Sequence, residues 1–387
     1  MKKQFLAFFL ILGLVPNSIF AHEENYFPKI FPVAEDGTVL YDEVFDPWGT
    51  EIFEPSYEIQ QSSIHSNHYM NYNGKAVHYV KIEMQPNIHA DIVFNYGVIE
   101  SSNSLSNLVR QYNAFAGING SFFSAYSGLP LPYGTIVNNG EVLHINGHPA
   151  FIGFTENNKF IMDIISSTID WQIDGSPASG IWEINHSVSA EEAIMVFTDD
   201  YKSKIPVKST GIAVVVNSDG VVNYHTSEGV YVPQNGKVFL FNSTEHQVLN
   251  RLGVGATTTL NVTLNGTYTD GTLLNQVTQG LTAGPSLIIN GVVTNNPWSE
   301  NFTETKITTG SAKRSFIGFT DDKEFTEIVI GTVSSATMNE MVQIVRSLGL
   351  NNAMCLDGGS SSGLYYNGKT LSSASRNVNN AIIFTEK

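Results

Sequence analysis

Residues 337–363 place the strongest constraint on the fold, because they specify a helix, a buried strand and a glycine-rich turn in succession. Thr337 and Glu340 match a capping box, in which two side chains satisfy free backbone N–H groups at a helix start. Apolar residues then recur at helical spacing as far as Leu348, and Gly349 suits the left-handed residue that ends a helix. This pattern predicts an amphipathic helix that leads directly into a buried strand.

The predicted strand is the apolar run at residues 353–356, and a turn of one Asp, three Gly and three Ser follows it at residues 357–363. Glycines and hydroxyls after a strand allow backbone N–H groups to approach an oxyanion closely. An Asp before Gly is often only a turn former, but this turn holds more Gly and Ser than a hairpin needs. We therefore place the candidate active site here, with Asp357 as its first candidate catalytic residue.

The amino terminus has the pattern of an export signal. Residues 1–21 contain two lysines, an apolar core too short to span a bilayer, and a small-residue cleavage site. We predict an exported protein, periplasmic or secreted, without a membrane span. Residues 22–70 are rich in proline and poor in periodic segments, so we predict an N-terminal extension there and a single large domain over residues 71–387.

Charge and cysteine content exclude some classes of partner and chemistry. The net charge of −16 argues against nucleic acid or an anionic membrane as the main partner, although a local group of cations can still bind an anionic substrate. Cys355 is the only cysteine, so no intramolecular disulfide can form. Its position in an apolar strand indicates a core residue rather than a nucleophile.

Two parts of the chain repeat a pattern of helix, short buried strand and polar strand end. The dipeptides that end these strands are Asn119-Gly120 and Asp357-Gly358. The sequence Phe-Ile-Gly-Phe-Thr also occurs twice, at residues 151–155 and 316–320. We infer a duplicated core in which the two polar strand ends meet at one cleft, while convergent hairpin chemistry is the alternative explanation.

The middle of the chain, about residues 165–280, consists almost wholly of predicted strands and Asn-Gly or Asp-Gly turns. With the flanking helices, this predicts an α+β fold that is β-rich, with pseudo-duplicated mixed sheets and a few packed helices.

Two further residues are candidates for catalysis. Arg314 stands just before an apolar strand in a chain with few arginines, and a guanidinium group is the best protein partner for phosphate; a surface ion pair is the alternative. Asn119 places an amide at the other polar strand end, where an Asx-turn is the alternative.

Other site types are not indicated. His144 and His148 are four residues apart, but Asn146 and Gly147 between them break any helix that could align them on a zinc ion. We predict no metal and no cofactor. The turn matches neither a P-loop nor a nucleophile elbow, and its serines are interpreted as anion-binding hydroxyls.

Several short motifs follow one another along the chain. They are Asn119-Gly120-Ser121-Phe122-Phe123, Gly284-Pro285, Asn290-Gly291, Lys313-Arg314-Ser315-Phe316-Ile317-Gly318, Leu356-Asp357-Gly358-Gly359-Ser360-Ser361 and Arg376-Asn377-Val378. Together they resemble the phosphodiester glycosidase family over about residues 75–387. The resemblance implies a glycosidase-type hydrolase that acts on a glycosyl-1-phosphodiester, either a small molecule or a polymer.

The resemblance also implies roles for individual residues. Arg314 and the turn would bind the phosphate, Asp357 would be the base or a stabilising carboxylate, and Asn119 would contact sugar or water. The implied substrate-binding residues are Gly358, Gly359, Ser360, Ser361, Gly120 and Arg376. Ser360 stands where the family usually has a third glycine, and Ser121 where a glycine is common.

Two other functions remain open at this point. One is a carbohydrate- or cell-wall-binding protein with the same fold and no activity, which the change at Ser360 would favour. The other is a phosphodiesterase that breaks the phosphorus–oxygen bond.

Overall fold

A computed structural model describes residues 64–126, 128–145, 147–321 and 325–387. The predicted export signal, at residues 1–21, and most of the predicted extension lie outside the described residues. The first described strand begins at His65, ahead of the predicted domain start at residue 71. The described part of the chain forms four sheets, a short hairpin and a few helices.

Sheet I is a seven-stranded antiparallel sheet that carries the predicted carboxy-terminal strand. In spatial order its strands are β1 (His65–Tyr72), β2 (Lys75–Glu83), β22 (Glu327–Ala336), β21 (Ala312–Thr320), β23 (Asn352–Cys355), β19 (Ser286–Ile289) and β20 (Val292–Val293). Every residue of β23 is buried, as the apolar run predicts. Burial also raises the pKa of the Cys355 thiol to about 12, which agrees with a core residue.

The predicted helix is α4 (Met338–Ser347), which packs on sheet I. Its capping box is complete: the Thr337 hydroxyl accepts from the backbone N–H of Glu340, and the Thr337 N–H donates to the Glu340 carboxylate. Gly349 adopts a φ of +79° just past the helix, where a residue with a Cβ would be strained. The helix prediction is therefore confirmed, and the helix fixes where β23 begins.

Sheet II is also antiparallel and comprises seven strands. They are β11 (Ser176–Ala178), β10 (Phe160–Ile173), β9 (Ala150–Thr155), β18 (Val277–Ala283), β7 (Ile136–Asn138) and β8 (Glu141–His144), with β17 (Thr258–Gly266) paired to the far part of β10.

Sheet III accounts for much of the predicted β-rich middle segment. Its strands are β12 (Ile181–Ile184), β13 (Ile194–Thr198), β16 (Lys237–Phe241), β14 (Ile212–Val216) and β15 (Val222–Thr226). Strands β12 and β13 are parallel, the one parallel pair among the strands that the structure describes, so sheet III alone is mixed.

Sheet IV holds the other predicted polar strand end. Its strands are β25 (Lys369–Ser372), β24 (Leu364–Tyr366), β4 (Ala116–Asn119), β26 (Asn380–Glu386) and β3 (Ile88–Phe94). The hairpin is β5 (Phe122–Phe123) with β6 (Pro132–Tyr133), and the remaining α-helices are α1 (Leu105–Gln111), α2 (Gly271–Leu274) and α3 (Thr305–Thr308).

The four sheets share one cluster of buried apolar side chains. It includes Ile330 of sheet I, Ile152 of sheet II, Met195 of sheet III and Ile118 of sheet IV. The β-rich architecture with few helices is confirmed. The duplication is not confirmed and stays a prediction: β9 and β21, which hold the repeated sequence, lie in sheets II and I, and each pairs with the strand that follows it in the chain, β10 or β22.

Candidate active site

A cavity of about 610 Å³ lies beside the turn that follows β23. The predicted site residues Asp357, Arg314 and Arg376 line it, as do residues 358–361. Asn119 and Gly120 do not. Seven of the nine predicted residues are thus brought to one cavity, and the other two lie behind it.

Asp357 lies at the cavity wall, where its side chain is partly buried. Burial raises the pKa of Asp357 to about 6. The Ser361 hydroxyl, the positive charges of Arg376 and Lys306, and the Gly358 N–H lower this pKa, but by less than burial raises it. The carboxylate is therefore mainly ionised at neutral pH but takes up a proton far more readily than an exposed aspartate. Such a group is suited to general acid–base work near neutrality.

The glycine-serine turn forms a short 3₁₀ turn over Gly359–Ser361. Gly359 has a φ of +60°, a left-handed conformation that glycine adopts without steric cost. At Gly358, a side chain would place its Cβ 3.1 Å from the Lys313 carbonyl, which explains why glycine also occupies this position. The Gly358 N–H and the Ser361 hydroxyl both lower the pKa of Asp357, so polar groups of the turn stabilise its ionised form before any ligand arrives.

Arg314 reaches the cavity from β21 as a buried guanidinium group, 4% exposed. Its Nε donates to the Ala336 carbonyl at 2.8 Å, and Nη2 donates to the carbonyls of Lys306 at 2.6 Å and Gly310 at 3.0 Å. Nη1 lies toward the turn, 3.8 Å from where a Cβ of Gly358 would be. Carbonyl oxygens hold this cation without neutralising it, which leaves its charge for an anionic ligand.

Asn119 is placed differently from its predicted role as a sugar or water contact. The side chain is 1% exposed, and both of its polar atoms are engaged within the protein. Nδ2 donates to the Asp357 carbonyl at 2.7 Å, while Oδ1 accepts from the Ser315 hydroxyl at 2.7 Å and from the Gly363 N–H at 3.1 Å. Asn119 therefore fixes both ends of the turn from behind.

Gly120 and Ser121 continue this supporting layer. The Gly120 carbonyl accepts from the Asp357 N–H at 3.0 Å. The Ser121 hydroxyl accepts from Nδ2 of Asn380 at 2.7 Å and is buried. The departure from the family pattern at Ser121 thus lies outside the cavity wall, whereas Ser360 lines it.

The cavity is rich in cations although the chain is acidic. Arg314, Lys306 and Arg376 line it, against the acidic groups Glu304 and Asp357. Lys306 lies on α3, and nothing in its sequence surroundings marks it as a site residue, because only the packing of α3 beside β21 brings it to the cavity.

Arg376 lies at the rim of the cavity with Tyr126. Its Nη2 donates to the Tyr126 hydroxyl at 2.8 Å, and its guanidinium carbon is 4.7 Å from the centre of that ring. Tyr126 is 84% exposed, so this pair is open to solvent. The bond and charge of Arg376 lower the pKa of Tyr126.

His148 is a cavity residue that the sequence did not identify as a candidate. Its ring stacks on Phe302, with centres 3.5 Å apart, and meets Phe122 edge-on. Nδ1 lies 2.8 Å from the Glu300 carbonyl, which can only accept, so Nδ1 carries the proton. Burial lowers the pKa of His148, and the neutral ring therefore keeps Nε2 as a hydrogen-bond acceptor.

His144 and His148 do not converge. Nδ1 of His144 contacts the Gly134 carbonyl at 2.5 Å, and Nε2 contacts Nδ1 of His186 at 3.3 Å. Within the described ranges, no group of three or more His, Cys, Asp or Glu side chains is placed to hold a metal ion.

Comparison with known families relates this cavity to a class of enzymes. Residues 210–385 match the family model of phosphodiester glycosidases, a region that includes Arg314, the turn and Arg376. The resemblance to the phosphodiester glycosidase family is thereby confirmed. The matched region begins after Asn119 and His148, so the family match does not cover the supporting layer or that wall of the cavity. No curated protein sequence matches the chain.

Solved structures of other proteins have a fold similar to that of this chain. A hypothetical protein from Synechocystis shares 22% identity with a TM-score of 0.73, over 83% of this chain and 61% of its own. A Burkholderia pseudomallei protein whose name marks it as a candidate exported protein shares 16% identity with a TM-score of 0.67, over 80% of this chain and 74% of its own. The chain thus spans about 61% of the length of the Synechocystis protein.

A third solved structure is the zebrafish N-acetylglucosamine-1-phosphodiester alpha-N-acetylglucosaminidase catalytic domain, auto-inhibited by its pro-peptide. It shares 10% identity with a TM-score of 0.44, over 85% of each chain.

None of the helices in the described residues has the length and apolar character needed to cross a membrane.

Replacing Asn119 by Ala should lower the free energy of unfolding by about 1–3 kcal/mol, because it leaves buried partners such as the Gly363 N–H unsatisfied. Urea denaturation measures this loss. Asn250→Ala, at an exposed position, is the matched control and should change stability by less than about 0.5 kcal/mol. Equal effects of the two changes would contradict the supporting role of Asn119.

Replacing Asp357 by Asn should leave the protein at least as stable at pH 7.5. The folded state raises the pKa of Asp357 to about 6, so ionisation of Asp357 lowers the free energy of unfolding. This loss of stability is absent below the unfolded pKa near 4 and grows as pH rises through 6. We expect D357N to gain about 1–2 kcal/mol at pH 7.5, less than the full shift implies because the residue is partly exposed. Urea denaturation at pH 7.5 and pH 4 tests this; an advantage that is larger at pH 4 would contradict it.

Proposed function

We propose that the protein hydrolyses a glycosyl-1-phosphodiester at the sugar–oxygen bond and acts as an exported enzyme. One observation carries this proposal: an aspartate with a raised pKa, a buried arginine and a glycine-serine turn line one cavity inside the region that matches phosphodiester glycosidases. The substrate is a small or polymeric sugar phosphodiester, and the pattern of residues 1–21 supports export.

The phosphodiester is bound by the cationic part of the cavity. Arg314 supplies a rigid, pre-positioned charge because its three hydrogen bonds to carbonyls fix the guanidinium plane. Lys306 and Arg376 add positive charge nearer to solvent. Backbone and hydroxyl donors of Gly359 and Ser360 complete the site. These donors are fixed before the substrate arrives, so little reorganisation is needed when charge develops on the leaving phosphate.

The reaction breaks the bond between the anomeric carbon and the bridging oxygen. The bond electrons leave with that oxygen on a phosphomonoester, and a water molecule adds its oxygen to the anomeric carbon. Because a phosphomonoester is a good leaving group, the site needs charge stabilisation more than a strong general acid. Asp357, ionised at neutral pH, accepts the proton of the attacking water or stabilises the positive charge of an oxocarbenium-like transition state.

Two further residues act in support. His148 offers a neutral acceptor at Nε2 to a sugar hydroxyl, with its ring held by Phe302 and the Glu300 carbonyl. Asn119 is a positioning residue: by holding the Asp357 carbonyl, it fixes the direction in which the carboxylate leaves the backbone.

The decisive test is a screen of UDP-sugars and sugar-1-phosphodiesters with product identification in ¹⁸O-labelled water. We expect release of free sugar that carries the label, and a phosphomonoester that does not. D357N should lower kcat by about 10²–10³, as is usual when a preorganised charged group is removed from an active site.

Each other outcome of this screen has a defined meaning. Label in the phosphate would assign a phosphodiesterase that breaks the phosphorus–oxygen bond. Thermal stabilisation by a substrate without product would assign a binding protein. Full activity of D357N would remove Asp357 from the mechanism.

Replacing Lys306 by Ala should raise KM for the anionic substrate by about two- to fivefold, with little change in kcat, because an exposed charge contributes modestly to binding. The increase should shrink at 0.5 M salt, where charges are screened. Steady-state kinetics at two salt concentrations measure both effects. Lys369→Ala, an exposed lysine outside the cavity, is the control; an equal rise in that variant would point to the overall charge of the protein.

A further inference from the structure

A second cavity of about 550 Å³ adjoins the candidate active site. Gly147 and His148 line both cavities, so they form the boundary between the two. The two cavities therefore lie next to each other, with His148 between them.

An exposed tryptophan forms part of the second cavity. Trp182, on the edge strand β12, is 45% exposed and lines the cavity. A half-exposed indole ring beside a cavity presents a flat apolar face. The C–H face of a sugar ring is also flat and apolar, so it can stack on the indole ring.

The wall that carries Trp182 is fixed before any ligand binds. An isolated β-bridge joins Ile184 of β12 to Ile145, just ahead of the loop that holds His148. Nδ2 of Asn185 also donates to the Leu143 carbonyl at 2.7 Å. These bonds tie β12 to residues 143–145, which precede the loop that holds His148.

The rest of the second cavity is polar without being cationic. Ser166, Ser167 and Asn301 offer hydroxyl and amide groups that can bond to sugar hydroxyls, and Glu183 contributes a carboxylate. Among the described residues that line this cavity there is no Lys or Arg, in contrast to the first cavity. A second phosphate would therefore meet no positive charge here, whereas a neutral hydroxylated ring meets suitable partners.

We propose that the second cavity is a binding subsite for a neutral sugar ring of the same substrate, with its face on Trp182. The proposal rests on the proposed function for the identity of the bond that is cleaved. It makes the preferred substrate an extended saccharide linked to the phosphodiester, rather than a single sugar.

The first test compares kcat/KM for a phosphodiester of one sugar with phosphodiesters that carry an additional neutral saccharide on either side of the phosphate. The wild-type protein should prefer one extended substrate by about three- to tenfold, the gain typical of a single aromatic contact. Trp182→Ala should abolish this preference, and Trp182→Phe should keep part of it.

The matched control is Trp298→Ala. Trp298 is 59% exposed and lines neither cavity, so its loss should leave the ratio between extended and minimal substrates at the wild-type value. No preference in the wild-type protein, or an equal loss in both alanine variants, overturns the subsite.

A second test does not depend on turnover. The full chain is titrated with neutral oligosaccharides of one to four N-acetylglucosamine, glucose or mannose units while tryptophan fluorescence is followed. We expect a saturable change in the wild-type protein and in Trp298→Ala that is absent in Trp182→Ala. No response to any of these oligosaccharides, or an unchanged response in Trp182→Ala, overturns the subsite.

The two tests separate the two proposals. Binding that is lost in Trp182→Ala, without hydrolysis of any phosphodiester, supports the subsite and rejects the proposed function. Hydrolysis without any preference for extended substrates supports the proposed function and rejects the subsite.

Discussion

The candidate site depends on one buried amide that joins two sheets. Asn119 stands at the end of β4 in sheet IV, and its side chain bonds to Asp357 and Gly363, at the two ends of the turn that follows β23 of sheet I. Ser315 on β21 bonds to the same amide. Because a buried amide without its partners is costly, this arrangement holds the turn in one conformation. The glycine-serine turn thus gains its fixed geometry from a residue that is distant in sequence.

Burial of Asp357 and Arg314 creates the electrostatic character of the cavity. Withdrawing Asp357 from water raises its pKa to about 6, and only partial compensation comes from Arg376, Lys306 and the donors of the turn. Arg314 is buried as well, but carbonyl groups stabilise it without cancelling its charge. The protein therefore keeps an ionised carboxylate and a guanidinium group held by carbonyls in one cavity, at a cost in stability that is common at functional sites.

The local field in this cavity differs from the net charge of the chain. A protein of net charge −16 should repel a phosphodiester at long range, yet three cations line the cavity where the phosphate would bind. The second cavity has no Lys or Arg among the described residues that line it, so the two cavities differ in charge in the way that the proposed substrate, a phosphate joined to neutral sugar, requires.

The sequence by itself determined the local elements and the chemistry of the turn. The capping box of Thr337, the buried strand β23 and Asp357 at its end follow from short-range patterns, because capping, periodicity and turn chemistry act over a few residues. The tertiary structure decided the rest. Asn119 became a supporting residue because its three partners lie 196, 238 and 244 residues further along the chain. Lys306, His148 and Trp182 reached the cavities only through the packing of separate sheets and loops, and no local pattern encodes which distant surfaces will meet.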